Sequence, residues 1–273
     1  MPRLPETTQT VSPVVLVDQL EKRWTALQSL TAKVEMQASV LHSKEGVAKD
    51  YTTIPGIILM RKPEMLRVYG RVPVIGTELF DMVSDGKKFT LYIPSKSKAI
   101  EGSNEVERKS PNQLENMRPG FFLDALAVRA LSPDDRYTVT ADVDTTMDAQ
   151  KKHLYTVPEY VLSIHRPKNG STEDTPLRVV WFHRDDLEPY QQDIYDKEGN
   201  IETQIYYSQY GEFGANKYPT KVIIKRPIDE IQIVLTILSV TENMNLPADQ
   251  FTIKIPPETQ IQRLDAATAD GAH

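Results

Sequence analysis

Cysteine is absent from all 273 residues, which removes disulfides, thiolate zinc sites and cysteine nucleophiles in one step. The absence does not settle the compartment, because an export signal and an acylated cysteine could precede Met1. Long apolar runs are missing too. No window approaches the roughly 18 consecutive apolar residues of a membrane-spanning helix, and the opening MPRLPETTQT has no apolar signal core. Basic runs are also lacking, and a net charge of −6 argues against a nucleic-acid backbone as partner. The phosphate-cradling G-x-x-x-x-G-K-[ST] and G-x-G-x-x-G patterns, the G-x-S-x-G elbow and H-E-x-x-H do not occur. Nothing therefore points to a cofactor, a metal or an enzyme.

What is present is an ordinary globular composition, 40% apolar and 26% charged, at a length that all-β chains often reach as one domain. The polar, proline-bearing residues 1–11 read as a tether. Ser12 is a good N-cap, and Pro13 suits the first helical position, where its missing N–H costs nothing. Leu16, Leu20, Trp24 and Leu27 then recur at helical spacing. From Leu30 the period drops to two: Leu30, Ala32, Val34, Met36, Ala38 and Val40 alternate with polar residues, the mark of a strand with one face in water. Further strands follow at IILMRK, EMLRVYG, TELFDMVS, KKFTLYIP and KAIEG. About seven more lie between RYTVTADV and EIQIVLTILSV, where Ile231, Ile233, Leu235 and Ile237 share a face, and a last one is expected at FTIKIP. Short loops make this an antiparallel meander. Residues 12–262 are expected to form one domain, with residues 263–273 as a frayed tail.

Asp85-Gly86 is a two-residue hairpin signal that sets Ser84 opposite Lys87, Met82 opposite Phe89 and Phe80 opposite Leu91. On that register Phe80, Met82, Phe89 and Leu91 line an inner face. Leu79, Val83 and Tyr92 fall outside, as expected where another element touches the outer side. One segment breaks the alternation. In RPGFFLDALAVRALSPDD, between Phe121 and Leu131, only Asp124 and Arg129 are polar, so a helix over 119–131 must be wrapped or must cover something. Ser132-Pro133 would stop it, and Asp124 and Arg129 would mark its wetted strip. The fold expected is mainly β (α+β): a single large antiparallel sheet curled into an incomplete barrel, with an N-terminal helix and this central helix as plug or lid. The barrel is either closed by helix packing or left able to hold an apolar ligand.

Candidate chemistry is sparse. His165 and His183 lack an adjacent ligand carboxylate, and His42, His153 and His273 are scattered. Asp142, Asp144 and Asp148 suggest a calcium loop, but Met147 stands where its glycine belongs. Asp134-Asp135 and Asp185-Asp186 sit at turns, where carboxylates satisfy backbone donors. Asn169 to Ser171 matches a glycosylation triplet.

The stretch KPEMLRVYGRVPVIGTELFDMVSDGKKFTLYIPSKSKAIEG, the apolar FFLDALAVRAL and the return to strand at RYTVT resemble the LolA/LolB family of bacterial cell-envelope proteins. Near the end, Asn243, Leu246 and Phe251 in TENMNLPADQFTIKIP match the N-x-x-L-x-x-x-x-F segment common in the carrier type. In the centre, Pro73, Val74, Ile75 and Gly76 are similar to the Pro-apolar-Gly turn of LolB, with one extra apolar residue. The resemblance implies acyl chains of lipids or lipoproteins as ligands, held by Val34, Met36, Phe80, Met82, Phe89, Leu91, Ile233 and Leu235 beneath Phe122 and Leu126. It makes Val74 and Ile75 the membrane contact. It also implies a periplasmic monomer tethered to the outer membrane by an N-terminal lipid, receiving cargo from a periplasmic carrier protein. The chain is longer than a usual LolB and lacks its acylated cysteine. A regulatory module sensing envelope lipids on the same fold is the alternative, and a hydrolase a lesser one.

Overall fold

The computed structural model describes residues 8–42, 47–105, 113–147, 154–168 and 174–265. Among them, two α-helices, α1 (Pro13–Ala26) and α2 (Pro119–Leu126), accompany fifteen strands. These are β1 (Ser29–His42), β2 (Val47–Asp50), β3 (Ile54–Arg61), β4 (Met65–Arg71), β5 (Glu78–Ser84), β6 (Lys88–Ile93), β7 (Lys98–Ser103) and β8 (Arg136–Met147). They continue with β9 (Leu154–Pro167), β10 (Asp174–His183), β11 (Pro189–Tyr195), β12 (Ile201–Phe213), β13 (Asn216–Arg226), β14 (Ile231–Glu242) and β15 (Gln260–Arg263). All lie in one sheet that does not close: the order runs β15, β7, β6, β5, β4, β3, β1, β14, β13, β12, β11, β10, β9, β8, with β2 beside β1. The meander β3 to β7 is antiparallel throughout, and β15 joins β7 in parallel.

The chain divides into two compact units. One takes Met1–Ala26, Val128–Ser208 and Ile224–Ile228, and the other Leu27–Ala127, Gln209–Ile223 and Asp229–His273. In the α1 unit the apolar stripe of α1, here Leu16, Val17 and Leu20, buries against Tyr160, Leu162 and Ile164 of β9 and Val180 and Phe182 of β10. Arg23 anchors the last turn of α1 by a two-pronged bond to Glu188, at 2.5 and 2.6 Å. The polar opening is docked from Gln9 onward. Gln9 N–H donates to the Arg184 carbonyl at 2.6 Å, and Val11 N–H to the Tyr160 hydroxyl at 3.1 Å.

In the α2 unit, alternation places Leu30, Ala32, Val34 and Met36 of β1 on one face. Cross-strand partners Ile58 and Met60, then Leu66 and Val68, then Met82, Leu91 and Ile100, continue it from β3 to β7. This inner face is buried along its whole length.

Three local expectations are corrected. The β5–β6 hairpin pairs Ser84 with Phe89 and Met82 with Leu91, so four residues, Asp85 to Lys88, lie between the paired ends and not two. The Asp85 carboxylate accepts the backbone N–H of Lys87 and Lys88 at 2.8 and 2.7 Å, and the Ser84 hydroxyl accepts that of Gly86 at 3.0 Å, which rewards the wider turn. The slip is an even number of residues, so every side chain keeps its face. Second, α2 ends at Leu126, because Ala127 is already extended (φ −150, ψ 127). The rest of the apolar run belongs to the other unit, where Val128 and Leu131 pack on the α1 core, and Arg178 donates to the Arg129 carbonyl at 2.9 Å. Third, FTIKIP is not a strand: Phe251 ends a 3-10 turn, and the terminal strand is Gln260–Arg263. The preceding segment lies across the outer face. Arg61 donates to the Leu246 carbonyl and covers the Phe251 ring at 5.3 Å, and Arg67 donates to the Gln250 carbonyl at 3.0 Å. It occupies the side of the sheet that carries Val83, where a touching element was expected. Beyond residue 262, Leu264 is still buried, and Asp265 accepts the Ser103 N–H at 2.6 Å.

Residues 1–7 of the expected tether, residues 266–273 of the expected tail, Asp148, His153, His273 and the triplet at Asn169 lie outside the described residues.

Candidate functional site

The inner face of the α2 unit gathers the side chains that the sequence singled out. Met36 on β1 pairs with Leu235 on β14, and Ala38 with Ile233. Val34 and Met36 lie over β3, and Met82 stands between Val68 and Leu91. Val34, Met36, Met82, Phe89, Leu91, Phe122, Leu126, Ile233 and Leu235 are all buried, while Phe80 is half-buried. The wall is thus in place and filled.

Sequence reasoning missed why Met36 and Phe80 can lie flat on it. Gly56 and Gly70 face each other across β3 and β4. A Cβ on Gly56 would stand 2.1 Å from Met36 Cε and 2.8 Å from the Tyr69 carbonyl, and one on Gly70 would stand 2.8 Å from Phe80 Cε1. Glycine inside a strand marks such close approach, and the signal was legible in IPGIILM and RVYGR.

The helix α2 covers this wall at β4 and β5. Its eight residues, PGFFLDAL, bury Pro119, Phe121, Phe122, Leu123, Ala125 and Leu126, leaving Gly120 and Asp124 half-exposed. Pro119 starts it in the first position, but neither end has a side-chain cap. A helix this short is unstable alone, so side-chain burial holds it, aided by Arg118, whose guanidinium lies 4.9 Å from the Phe89 ring centre.

The β4–β5 turn is the reverse of this wall. Val72 N–H donates to the Thr77 carbonyl at 2.8 Å and Gly76 N–H to Val72 at 2.9 Å, which closes a tight loop with Val74 and Ile75 at its tip. Val74 is fully exposed and Ile75 73% exposed. Val74 also adopts φ +69, the left-handed region that a β-branched residue avoids.

The segment Asn243–Phe251 is clamped by its conspicuous residues. Asn243, at φ +57, accepts the Gln28 N–H through its side chain at 2.7 Å. Ser29 Oγ donates to the Met244 carbonyl at 2.6 Å. Leu246 and Phe251 are buried.

Titratable groups concentrate elsewhere, in the α1 unit. The Tyr190 hydroxyl donates to Glu159, and the Tyr190 ring stacks on His183 at 4.2 Å. Burial raises the Glu159 pKa, against the Tyr190 hydrogen bond, with Asp144 and Asp142 adding to the rise. Burial and Glu159 raise that of Tyr190 as well. No cluster of three metal-ligating side chains exists among the described residues. Asp135 and Asp186 serve turns, accepting the N–H of Ser132 and Glu188 at 2.8 and 2.9 Å. Because the folded Glu159 holds its proton more tightly than the unfolded one, its stabilising effect is complete below its ordinary value of 4.5 and is lost as pH rises through the raised folded value. Glu159→Gln should flatten that part of the pH–stability curve and raise stability at neutral pH, measured by thermal unfolding across the carboxylate range. An unchanged slope would mean that Glu159 titrates normally.

No protein-family profile matches the chain, and no curated protein matches its sequence. Solved structures do. A LolA-superfamily protein of Nitrosomonas europaea aligns over 89% of this chain and 99% of its own, with a TM-score of 0.54 and 15% identity. A DUF1329-family protein of Desulfovibrio piger aligns over 87% and 95%, with TM-score 0.54 and 14% identity. A domain described as an outer membrane lipoprotein-sorting protein of Vibrio parahaemolyticus aligns over 87% and 94%, with TM-score 0.50 and 11% identity. The fold is therefore LolA-like: among the described residues, a large, mostly antiparallel sheet that is not closed, with two α-helices.

Proposed function

We propose that the protein is a non-enzymatic carrier or receptor of acyl chains, from lipids or lipoproteins. In this reading it binds them against the inner face of the α2 unit and hands them to a membrane touched by Val74 and Ile75. The observation that carries this reading is the β4–β5 tip. A soluble chain gains nothing by fixing a valine in a left-handed conformation to hold two aliphatic side chains in water, and backbone outliers of this kind persist where function needs them. A bilayer surface gives the tip a partner.

Shielding follows from magnitude. At about 0.8 kcal/mol per methylene, exposing a sixteen-carbon chain costs on the order of 12 kcal/mol, so a carrier needs an apolar wall that opens and recloses. The wall from Val34 to Leu91 is of that kind, and α2, a short helix with no side-chain cap, is the element that would lift. Without a nucleotide motif, transfer is exchange between apolar sites of similar affinity. The sorting role named for the Vibrio parahaemolyticus structure supports a place in the cell envelope beside the outer membrane; in this reading a periplasmic monomer receives cargo from a soluble carrier.

Native mass spectrometry of protein purified from its own envelope should find a bound lipid or lipopeptide, and a fluorescent fatty acid should be taken up with a blue shift. Failure of both would sink the acyl-chain reading.

A further inference from the structure

The outer face of the α2 unit carries a groove that the acyl-chain reading does not use. It encloses about 450 Å³. Its floor is Thr31, Ile57, Leu59, Met244 and Leu246, and its walls are Tyr69, Arg71 and Glu78 beside Arg67 and Gln250. The floor is apolar apart from Thr31, whose buried hydroxyl has no hydrogen-bond partner.

The charges are arranged unevenly. Arg67 is fully engaged, donating to Asp81 at 3.0 and 2.6 Å and to the Gln250 carbonyl at 3.0 Å. That pair cancels itself. Arg71 and Glu78 are opposite one another across β4 and β5, yet no ion pair joins them. The Arg71 guanidinium rests 5.4 Å from the Tyr69 ring centre and donates no hydrogen bond within the described residues. Partial burial, and then the neighbouring Asp81, raise the Glu78 pKa more than Arg67 and Arg71 lower it, so a further cation placed beside Glu78 would favour its charged form. Among the described residues, a guanidinium that donates no hydrogen bond and a carboxyl bonded only to another carboxyl, Asp81, thus stand at the rim of an apolar slot, with the Tyr69 ring beneath the guanidinium.

We propose that this groove binds a zwitterionic phospholipid headgroup, its phosphate on Arg71, its ammonium on Glu78 and the first acyl carbons along Ile57, Leu59 and Met244. Guanidinium matches phosphate geometry, and the Tyr69 ring favours an alkylammonium nearby. Arg71 and Glu78 are also the strand residues flanking the Val72–Thr77 turn. A protein seated by Val74 and Ile75 would carry the groove into the headgroup layer. The choice of a lipid over a soluble zwitterion rests on that membrane-contact reading; the phosphate and ammonium assignments do not.

The test is an NMR titration of the intact protein with dihexanoyl phosphatidylethanolamine below its aggregation threshold, repeated with dihexanoyl phosphatidylglycerol and with glycerophosphoethanolamine. Shifts should appear at Thr31, Ile57 and Tyr69. Arg71→Ala and Glu78→Gln, both at exposed side chains, should each weaken the phosphatidylethanolamine by about tenfold. Phosphatidylglycerol, which lacks the amine, should bind more weakly and ignore Glu78→Gln. Absence of shifts at these residues, equal affinity after Arg71→Ala, or equal affinity for the two lipids would overturn the proposal. Glycerophosphoethanolamine binding as tightly as the lipid would overturn the acyl assignment and identify a soluble zwitterion site. Co-sedimentation with phosphatidylethanolamine vesicles separates the two readings: short-chain lipid bound but vesicles ignored defeats the membrane contact and leaves the headgroup site standing, while the converse defeats the site alone.

Discussion

Phe122→Ala should lower the free energy of unfolding by about 3–5 kcal/mol, the range for removing a buried aromatic ring from a packed core. Phe122 is 1% exposed and sits at the centre of a helix that has no side-chain cap at either end. In urea the midpoint should fall with an unchanged slope, which marks lost stability and not a changed unfolded state. The same substitution has a second expected effect. An apolar void under a helix that covers β4 and β5 stays dry and accepts apolar guests, so dodecanoic acid should recover part of the loss, rising with ligand concentration as linkage requires. A loss under about 1 kcal/mol would show that α2 is not part of the folded core. A full loss with no recovery by fatty acid would leave α2 as a plug and remove its role as lid.

How far the sequence disclosed this arrangement depended on the range of the forces involved. Period-two alternation is local, and it assigned β1, β14 and the inner face correctly. The hairpin register slipped because the Asp-Gly signal is shared by turns of two and four residues, and the choice fell to the Asp85 carboxylate, whose two N–H partners are a matter of geometry. The apolar helix was legible as an anomaly but not in its length. Its composition continues unchanged through Val128 and Leu131, although the chain there leaves α2 and serves a different core. No periodicity marks such a handover. The seat of Phe251 under Arg61 and the Arg67 bond to the Gln250 carbonyl join residues from distant parts of the chain, and alternation alone could only say that something touched the outer face. The tip was the opposite case: Pro73 to Gly76 could be picked out by resemblance, while the conformation of Val74 could not be read from it.

Val74→Asp with Ile75→Asp should reduce binding to phosphatidylethanolamine vesicles by at least about a hundredfold. Full burial of each aliphatic side chain contributes roughly 1.5–3 kcal/mol, and about 1.4 kcal/mol is a factor of ten. Stability should hardly change, because neither side chain packs on the fold. Val74→Gly is the sharper variant. Relieving a left-handed valine returns about 1–2 kcal/mol, against which glycine costs roughly 0.5–1 kcal/mol in chain entropy. The protein should thus become up to about 1.5 kcal/mol more stable while losing about tenfold in vesicle affinity. Opposite signs in the two assays are what a site kept for function produces, since strain that served only the fold would be relieved with no loss elsewhere. Vesicle binding that survives both variants would assign the tip no part in membrane contact. Binding lost together with stability would mean that Val74 packs on the protein in solution.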